Sequence, residues 1–292
     1  VNPVQTGYAA ISDDWYGITP GTDGLLIMSL IRELMLSGNI DVDYLRRYTN
    51  SPWLVIQNPG KNNDGLFLRD QSGQPQVIDR LSGKIVPHSK KGVSPEMSGK
   101  VKLETGGFAI PVFKIMYDTY IDNIYSPENI SSKVGISSKR IRKFAADLAD
   151  AAFSKEVVIN QPWTDWKGEK HKKMIGRPVS MHAMRGISAH SNGFQTCRAL
   201  HVLQLILGSI EVPGGWRFKP PYPKPPEAHP KPSGKPNQIQ PGKPLTGPPL
   251  GYVLSPEDLI INEDGSPQRI DKAYSWDAPM SAHGLMHMVI SN

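Results

Sequence analysis

Apolar residues recur on nearly every turn between positions 24 and 37, with Thr22 and Asp23 ahead of them and Gly38 behind. This pattern predicts a largely buried helix with a polar N-terminal cap and a glycine stop. A short helix is expected over 41–48 and another over 111–123. An amphipathic helix with a serine cap is expected over 137–153, its outer face basic through Lys139, Arg140, Arg142 and Lys143. A last helix is expected over 193–207, ended by Gly208.

Short β-branched runs lie between the helices. Those at 53–56 and 76–78 fall among Pro, Gly and Asn clusters, so 51–110 is expected to be an inserted hairpin region. The runs at 156–160 and 179–184 read as buried strands, joined by a polar loop with a Lys-rich stretch, 167–173. Strands alternating with helices predict an α/β fold, with a Rossmann-like parallel sheet over 1–215. Residues 213–249 hold 13 of the 27 prolines, and 216–250 is expected to be a proline-rich surface linker. Residues 251–292 are expected to begin a second α/β domain, ending in a strand over 285–290.

The chain starts on Val1 and stops on an apolar run, from which an internal fragment is expected, with no targeting signal in view. No apolar run is long enough to span a bilayer. The only cysteine, Cys197, excludes an intrachain disulfide and a four-cysteine metal or iron–sulfur site built from this chain alone. The net charge is +6, concentrated in 56–249 between acidic ends. No nucleic-acid-binding motif accompanies it, so a solvated surface or an anionic small ligand is expected, and no nucleic acid.

Two loops have the form of ligand-binding turns, since open α/β sheets bind ligands at helix N-termini beyond their strands. The first, 18–23, contains Pro20-Gly21-Thr22-Asp23. Its Asp23 either helps to cap the helix or accepts the paired N–H groups of a guanine edge. The second, 182–198, crosses a Gly/Ser/Asn/His loop into a helix. Backbone N–H groups near Gly186 and Ser188 suit pyrophosphate oxygens. Arg198 opposes the dipole of that helix. It either pairs with a carboxylate or serves a ligand. His190 is a proton-donor candidate or an exposed loop residue. Cys197, Met174, Met181 and Met184 read as packing.

At these same residues the chain resembles the catalytic subunits of the molybdopterin oxidoreductases, the dimethyl-sulfoxide-reductase family. The matching residues are Asn2-Pro3, Thr6, Pro20-Gly21-Thr22-Asp23, Asp41, Tyr44-Leu45, Arg177-Pro178, the loop and helix from Met184 to Arg198, Gly208 and Pro213-Gly214-Gly215. Within the family it is most similar to the sulfur-oxyanion branch, the polysulfide, thiosulfate and tetrathionate reductases and the sulfite dehydrogenases. The runs 185–196, 219–224 and 269–276 look most like the sulfite-oxidising type.

The resemblance implies molybdenum carried on two molybdopterin guanine dinucleotides, with oxygen-atom transfer on a sulfur oxyanion. By position, it implies cofactor contacts at Asn2, Thr6, Thr22, Asp23, Arg185, Gly186, Ser188, Asn192 and Asn292. Arg198 matches the arginine near the metal and its oxyanion, and His190 is a looser catalytic candidate. No metal ligand is expected from this chain. Any iron–sulfur cluster would lie upstream or in a partner. The implied partners are a membrane anchor and an iron–sulfur electron-transfer subunit, which place the protein on the cytoplasmic side of a membrane, or on the periplasmic face. The start Asn2-Pro3-Val4 departs from the family's frequent Asp-Pro-Arg. The alternative from a different class is a non-catalytic nucleotide-binding or structural α/β subunit.

Overall fold

Helix α1 (Asp23–Leu36) packs against four other helices, and its apolar spacing is the reason. Leu26, Leu30, Ile31 and Leu34 are each 2% exposed or less. They meet Ile130 and Val134 of α4 (Pro127–Val134), Ile141 of α5 (Ser138–Ala149) and Leu203 and Ile206 of α6 (Gly193–Ile206) in one helical core. Each such side chain contributes about 1.5–3 kcal/mol on burial. The computed structural model describes residues 1–216 except Thr6, Trp166 and Met184, with the backbone alone for Tyr8 and Arg185. The expected second domain, Asn292, and all of the proline-rich linker but Trp216 lie outside the described residues.

Three of the α-helices, α2 (Val42–Tyr48), α4 and α5, start at side-chain caps. Helix α2 is capped by Asp41, whose Oδ1 accepts from the Tyr44 amide at 2.9 Å. Helix α3 spans Val112–Tyr120. Ser137 caps α5, whose last turn loosens into a π-helical turn over Asp150–Ser154. Helix α4 was not expected, yet its signals are local: Ser126 caps it, Pro127 starts it and Gly135 ends it at φ 73°.

The inserted region folds around a small core of its own, Leu54, Ile56, Leu103 and Ala109. Strands β1 (Leu54–Gln57), β5 (Phe108–Pro111) and β4 (Val101–Lys102) form one antiparallel sheet, and β2 (Gln76–Ile78) pairs with β3 (Ile85–Pro87). Its two ends meet where the Val112 amide donates to the Trp53 carbonyl at 2.9 Å.

The expected parallel sheet is absent from the described residues. Strand β6 (Val157–Ile159) pairs antiparallel with β9 (Met174–Gly176), and the polar loop between them contains a hairpin of β7 (Trp163–Thr164) and β8 (Lys170–His171). That hairpin brings the chain back beside β6 in the opposite direction, whereas a parallel partner needs a crossover. Residues 179–183 carry no strand, because the Val179 amide is used locally, on the Arg177 carbonyl. Nor is β6 buried: Val157, Val158 and Ile159 are 39%, 42% and 38% exposed. One isolated parallel bridge, Ile210 with Trp216, is present. The fold of the described residues is mixed α/β, with helices and small antiparallel sheets.

Several residues that carry the family resemblance form a single structural node. Arg177 donates to Asp41 Oδ2 through Nε at 3.0 Å and Nη2 at 2.8 Å. Its Nη1 donates to Glu156 at 2.7 Å and to the Ala152 carbonyl at 3.2 Å, and the guanidinium lies 4.8 Å from the Phe153 ring centre. Gly208, at φ 64°, passes so close that a Cβ would sit 2.7 Å from Asp41 Oδ2. A Cβ on Gly214 would likewise press on Pro178, at 3.0 Å. Beside this node, burial and then the Asp41 charge push the Tyr44 phenol up to about 12.

Candidate functional site

The two loops singled out in the sequence converge at the N-terminal turns of α1 and α6. A Cβ on Gly21, whose φ is 79°, would lie 3.6 Å from His190 Nδ1. A Cβ on Gly24 would lie 2.8 Å from Thr196 Oγ1 and 3.9 Å from Asn192 Nδ2. Glycine at 24 therefore lets the two turns approach backbone to side chain, and glycine at 21 supplies the left-handed turn beside His190. Gly193 serves the same end within the second loop, because a Cβ there would lie 2.1 Å from the Ser188 carbonyl oxygen.

The helix-cap alternative for Thr22 and Asp23 is not realised. Thr22 holds the N-cap position, but its hydroxyl donates backward to the Thr19 carbonyl at 2.7 Å. Asp23 is the first residue of α1, and its carboxylate has no hydrogen bond or ion pair among the described residues. Asn192 holds the N-cap position of α6 and does not cap it either. Its amide faces Gly24 instead. Gly186 sits in a 3₁₀ turn, Arg185–Ser188, with open space over its Cα. Thr6, Asn292 and the Arg185 side chain lie outside what is described.

Arg198 is exposed on α6 and has no carboxylate partner among the described residues. Of the two alternatives for it, the structural ion pair is the one not found there. Its cation does reach Tyr120: burial raises that phenol's pKa, and Arg198 partly offsets the rise. His190 is exposed, against Gly21, and Cys197 is half-buried.

Asn2 lies apart from the two turns. Its Oδ1 accepts from the Val4 amide at 3.0 Å and its carbonyl accepts from Trp15 Nε1 at 2.9 Å. With Ser12, Asp14, Trp15 and His182 it lines a cleft of about 440 Å³. Sequence reasoning had His182 only as the start of the second loop and missed Ser12, Asp14 and Trp15, because 12–15 and 182 meet only through the fold.

The basic face of α5 is exposed, as expected, and carries surface ion pairs: Arg140 with Asp14 at 2.7 Å, Arg142 with Glu128 at 2.6 Å and Lys143 with Asp147 at 2.6 Å. The lysines of the Lys-rich loop are exposed too, and one of them, Lys167, donates to the Arg47 carbonyl. In the same hairpin Asp165 Oδ2 accepts from the Tyr48 hydroxyl at 3.0 Å and lies 3.0 Å from His171 Nε2. Burial pushes the Asp165 carboxyl up, but hydrogen bonds from His171, two backbone amides and Tyr48 outweigh it and hold the pKa at about 2. Asp165, Glu169 and His171 place possible metal-ligand atoms within 4.8 Å of one another. Each already has a protein partner, Glu169 through Arg47 at 3.3 Å, and the group is a structural clasp between the hairpin and α2.

No protein-family model matches the chain. A sulfite dehydrogenase subunit of Allochromatium vinosum is 42% identical over all of this chain and 31% of its own length. Two weaker relatives cover 74% of the chain. The formate dehydrogenase major subunit of Haemophilus influenzae is 23% identical over 18% of its length. A selenate reductase subunit of Mesobacillus selenatarsenatis is 21% identical over 20% of its length. Over its whole length the chain is similar to part of a sulfite dehydrogenase subunit, and more distantly to parts of other molybdopterin oxidoreductases. It spans less than a third of the length of these relatives. The resemblance residues divide into two sets. Arg177, Asp41, Gly208 and Gly214 build the structural node, while Gly21, Asp23, His190 and Asn192 gather around the helix turns, with Arg198 exposed further along α6. No helix among the described residues is long and apolar enough to cross a membrane.

Proposed function

We propose that the chain is part of the catalytic subunit of an enzyme that oxidises sulfite, and that it contributes part of the site for molybdopterin guanine dinucleotide. The observation that carries this is Arg198. It is an exposed guanidinium with no carboxylate partner among the described residues, on the helix whose first turn meets α1 at Gly24, in a chain 42% identical to a sulfite dehydrogenase subunit.

The residues present fit such a group. At Gly24 a larger side chain would displace Thr196, and Gly21 holds a backbone turn at φ 79° that other residues adopt only under strain. The Asp23 carboxylate is free of protein partners among the described residues and suits the paired N–H groups of guanine. The open backbone at Gly186 suits phosphate oxygens. When bound, the metal centre supplies two-electron, oxygen-atom-transfer chemistry.

The work of the chain's own residues is to bind and orient. The Arg198 fork holds two oxygens of the oxyanion and offsets its charge. The N-terminal turn of α6 adds amide N–H groups of the same polarity. His190, exposed beside Gly21, is placed to exchange a proton with solvent. Strand β6, paired only with β9 among the described residues, offers its other edge for further strands of the full protein, which would extend the small sheet toward the Rossmann-like form. A membrane anchor and an iron–sulfur electron-transfer subunit would take the electrons away, on the cytoplasmic side. Any iron–sulfur cluster belongs to parts of the assembly other than this single-cysteine segment.

The test is Arg198→Ala in the full-length protein. Sulfite turnover should fall about 10²–10³-fold, the loss typical of one oxyanion donor, with molybdenum content unchanged. Wild-type turnover in that variant overturns the proposal.

A further inference from the structure

We propose that a lysine-rich face, formed where the β7–β8 hairpin meets the turn at 87–91 of the inserted region, binds the anionic lipid surface of a membrane. None of its residues is assigned above to the cofactor or the oxyanion.

The hairpin carries Lys167, Lys170, Lys172 and Lys173, and all four are exposed. Its backbone is held in place. Lys167 donates to the Arg47 carbonyl of α2, and the Trp163 indole donates to the Lys173 carbonyl at 3.0 Å. The Trp163 ring stacks on His171 with 4.6 Å between centres. The same hairpin reaches the inserted region. Lys167 lies close enough to His88 to act on its imidazole, which burial, and then the Lys167 charge, push below the ordinary histidine value. His88 is itself fixed, edge-on to Trp53 at 5.6 Å, with its amide on the Pro75 carbonyl at 2.9 Å. Just beyond it, Lys90 and Lys91 are exposed, in a turn closed by the Lys90 amide on the Pro87 carbonyl at 3.0 Å. The fold thus joins cations from two segments far apart in the chain.

The hairpin's own carboxylates do not offset these cations. Asp165 is buried against Tyr48 and His171, and Glu169 pairs with Arg47 at 3.3 Å. Lys90, Lys91, Lys170, Lys172 and Lys173 have no carboxylate partner among the described residues, whereas Arg140, Arg142 and Lys143 of the basic α5 each have one. A field that the protein leaves uncompensated draws an anionic partner from outside. The composition of the face indicates which kind. Protein interfaces are enriched in arginine and aromatic side chains and depleted in lysine. Here the uncompensated cations are all lysines, strongly hydrated point charges on flexible stems. They suit a surface on which anionic groups are spread and mobile, and clusters of about 4–8 such cations bind anionic lipid headgroups.

The experiment is flotation of the full-length protein with vesicles of phosphatidylcholine alone, or of phosphatidylcholine and phosphatidylglycerol in equal parts. The wild type should float with the anionic vesicles and not with the neutral ones. It should leave them as added salt shortens the screening length from about 10 Å to about 3 Å. The triple variant Lys170→Gln, Lys172→Gln, Lys173→Gln should bind about 100-fold more weakly, since each lysine at such a surface contributes about five-fold. Lys90→Gln with Lys91→Gln, in the other segment, should weaken binding about 25-fold on the same basis. A control that removes equal charge elsewhere, Lys133→Gln, Lys139→Gln and Lys143→Gln on α4 and α5, should bind like the wild type. Wild-type binding to both kinds of vesicle, binding to neither, or an equal loss in the control overturns the inference. It is overturned in favour of a protein partner if the wild type ignores anionic vesicles while the triple variant loses an acidic subunit from the purified complex.

Discussion

Arg177 holds the Asp41 carboxylate through two nitrogens although 136 positions separate them in the chain. The pair ties the start of α2 to the segment leaving β9. Both side chains are about 15% exposed, so little solvent screens them. Arg177→Ala would leave Asp41 without its charge partner, and we expect a loss of about 2–4 kcal/mol in urea unfolding. Arg177→Lys should recover only part of this, because an ammonium cannot reproduce the fork.

Gly208 sits against the same carboxylate, at φ 64° and with 2.7 Å for any Cβ. Gly208→Ala should cost about 1–3 kcal/mol through backbone strain and crowding. Thermal melting of the single variant, and of the double variant with Asp41→Ala, measures the part due to the carboxylate. Shortening Asp41 should relieve only that part, because its Cβ, 2.8 Å from the new one, remains.

At the converged turns, Gly24→Ala should destabilise by about 1 kcal/mol, because the new Cβ meets Thr196 Oγ1 at 2.8 Å. Adding Thr196→Ala removes that oxygen. The double variant should be less destabilised than the sum of the singles, a coupling readable in a double-mutant cycle.

Asp165 carries an acid-dependent part of the stability. Its folded pKa of about 2 lies below the ordinary 3.8, so protons bind the unfolded state more tightly. The contribution is present in full above the unfolded value and is lost as pH falls from 3.8 through about 2. Comparing wild type with Asp165→Asn across that window should show the difference between them shrinking as pH drops. A difference that stays constant with pH contradicts the assignment.

Arg198→Lys separates charge from geometry at the proposed oxyanion site. A lysine keeps the charge and loses the planar fork. Sulfite turnover by the full protein should fall less than in Arg198→Ala and remain below wild type, with unchanged molybdenum content.

Much of the helical fold is legible in the chain because its signals are local. The apolar run of α1, the Asp41 cap and the Gly208 stop all lie within a few residues of what they control. Helix α4 had equally local signals in Ser126, Pro127 and Gly135, but it is short and polar on most of its surface. Strand direction is another matter. Residues 157–159 read as a strand from side-chain type alone, whereas their antiparallel partner follows from a hairpin a few residues on, made of polar residues. Charge is legible only in part. The basic face of α5 is visible in sequence, but its partners Asp14 and Glu128 come from other segments. At the candidate site, the turns at Gly21 and His190 are legible as loops, and their meeting is not, because it depends on how α1 and α6 pack.

The inserted region leaves and rejoins the helical core where Val112 bonds to Trp53 at 2.9 Å, and it keeps its own apolar centre. It also returns to its host, since Met97 is buried in the helical core and the Pro95 carbonyl accepts from Arg46 of α2 at 2.9 Å. A segment attached in this way is a graft with one root in the host: its far hairpin is free to drift in length, whereas the stretch around Pro95 and Met97 is held by the packing it completes.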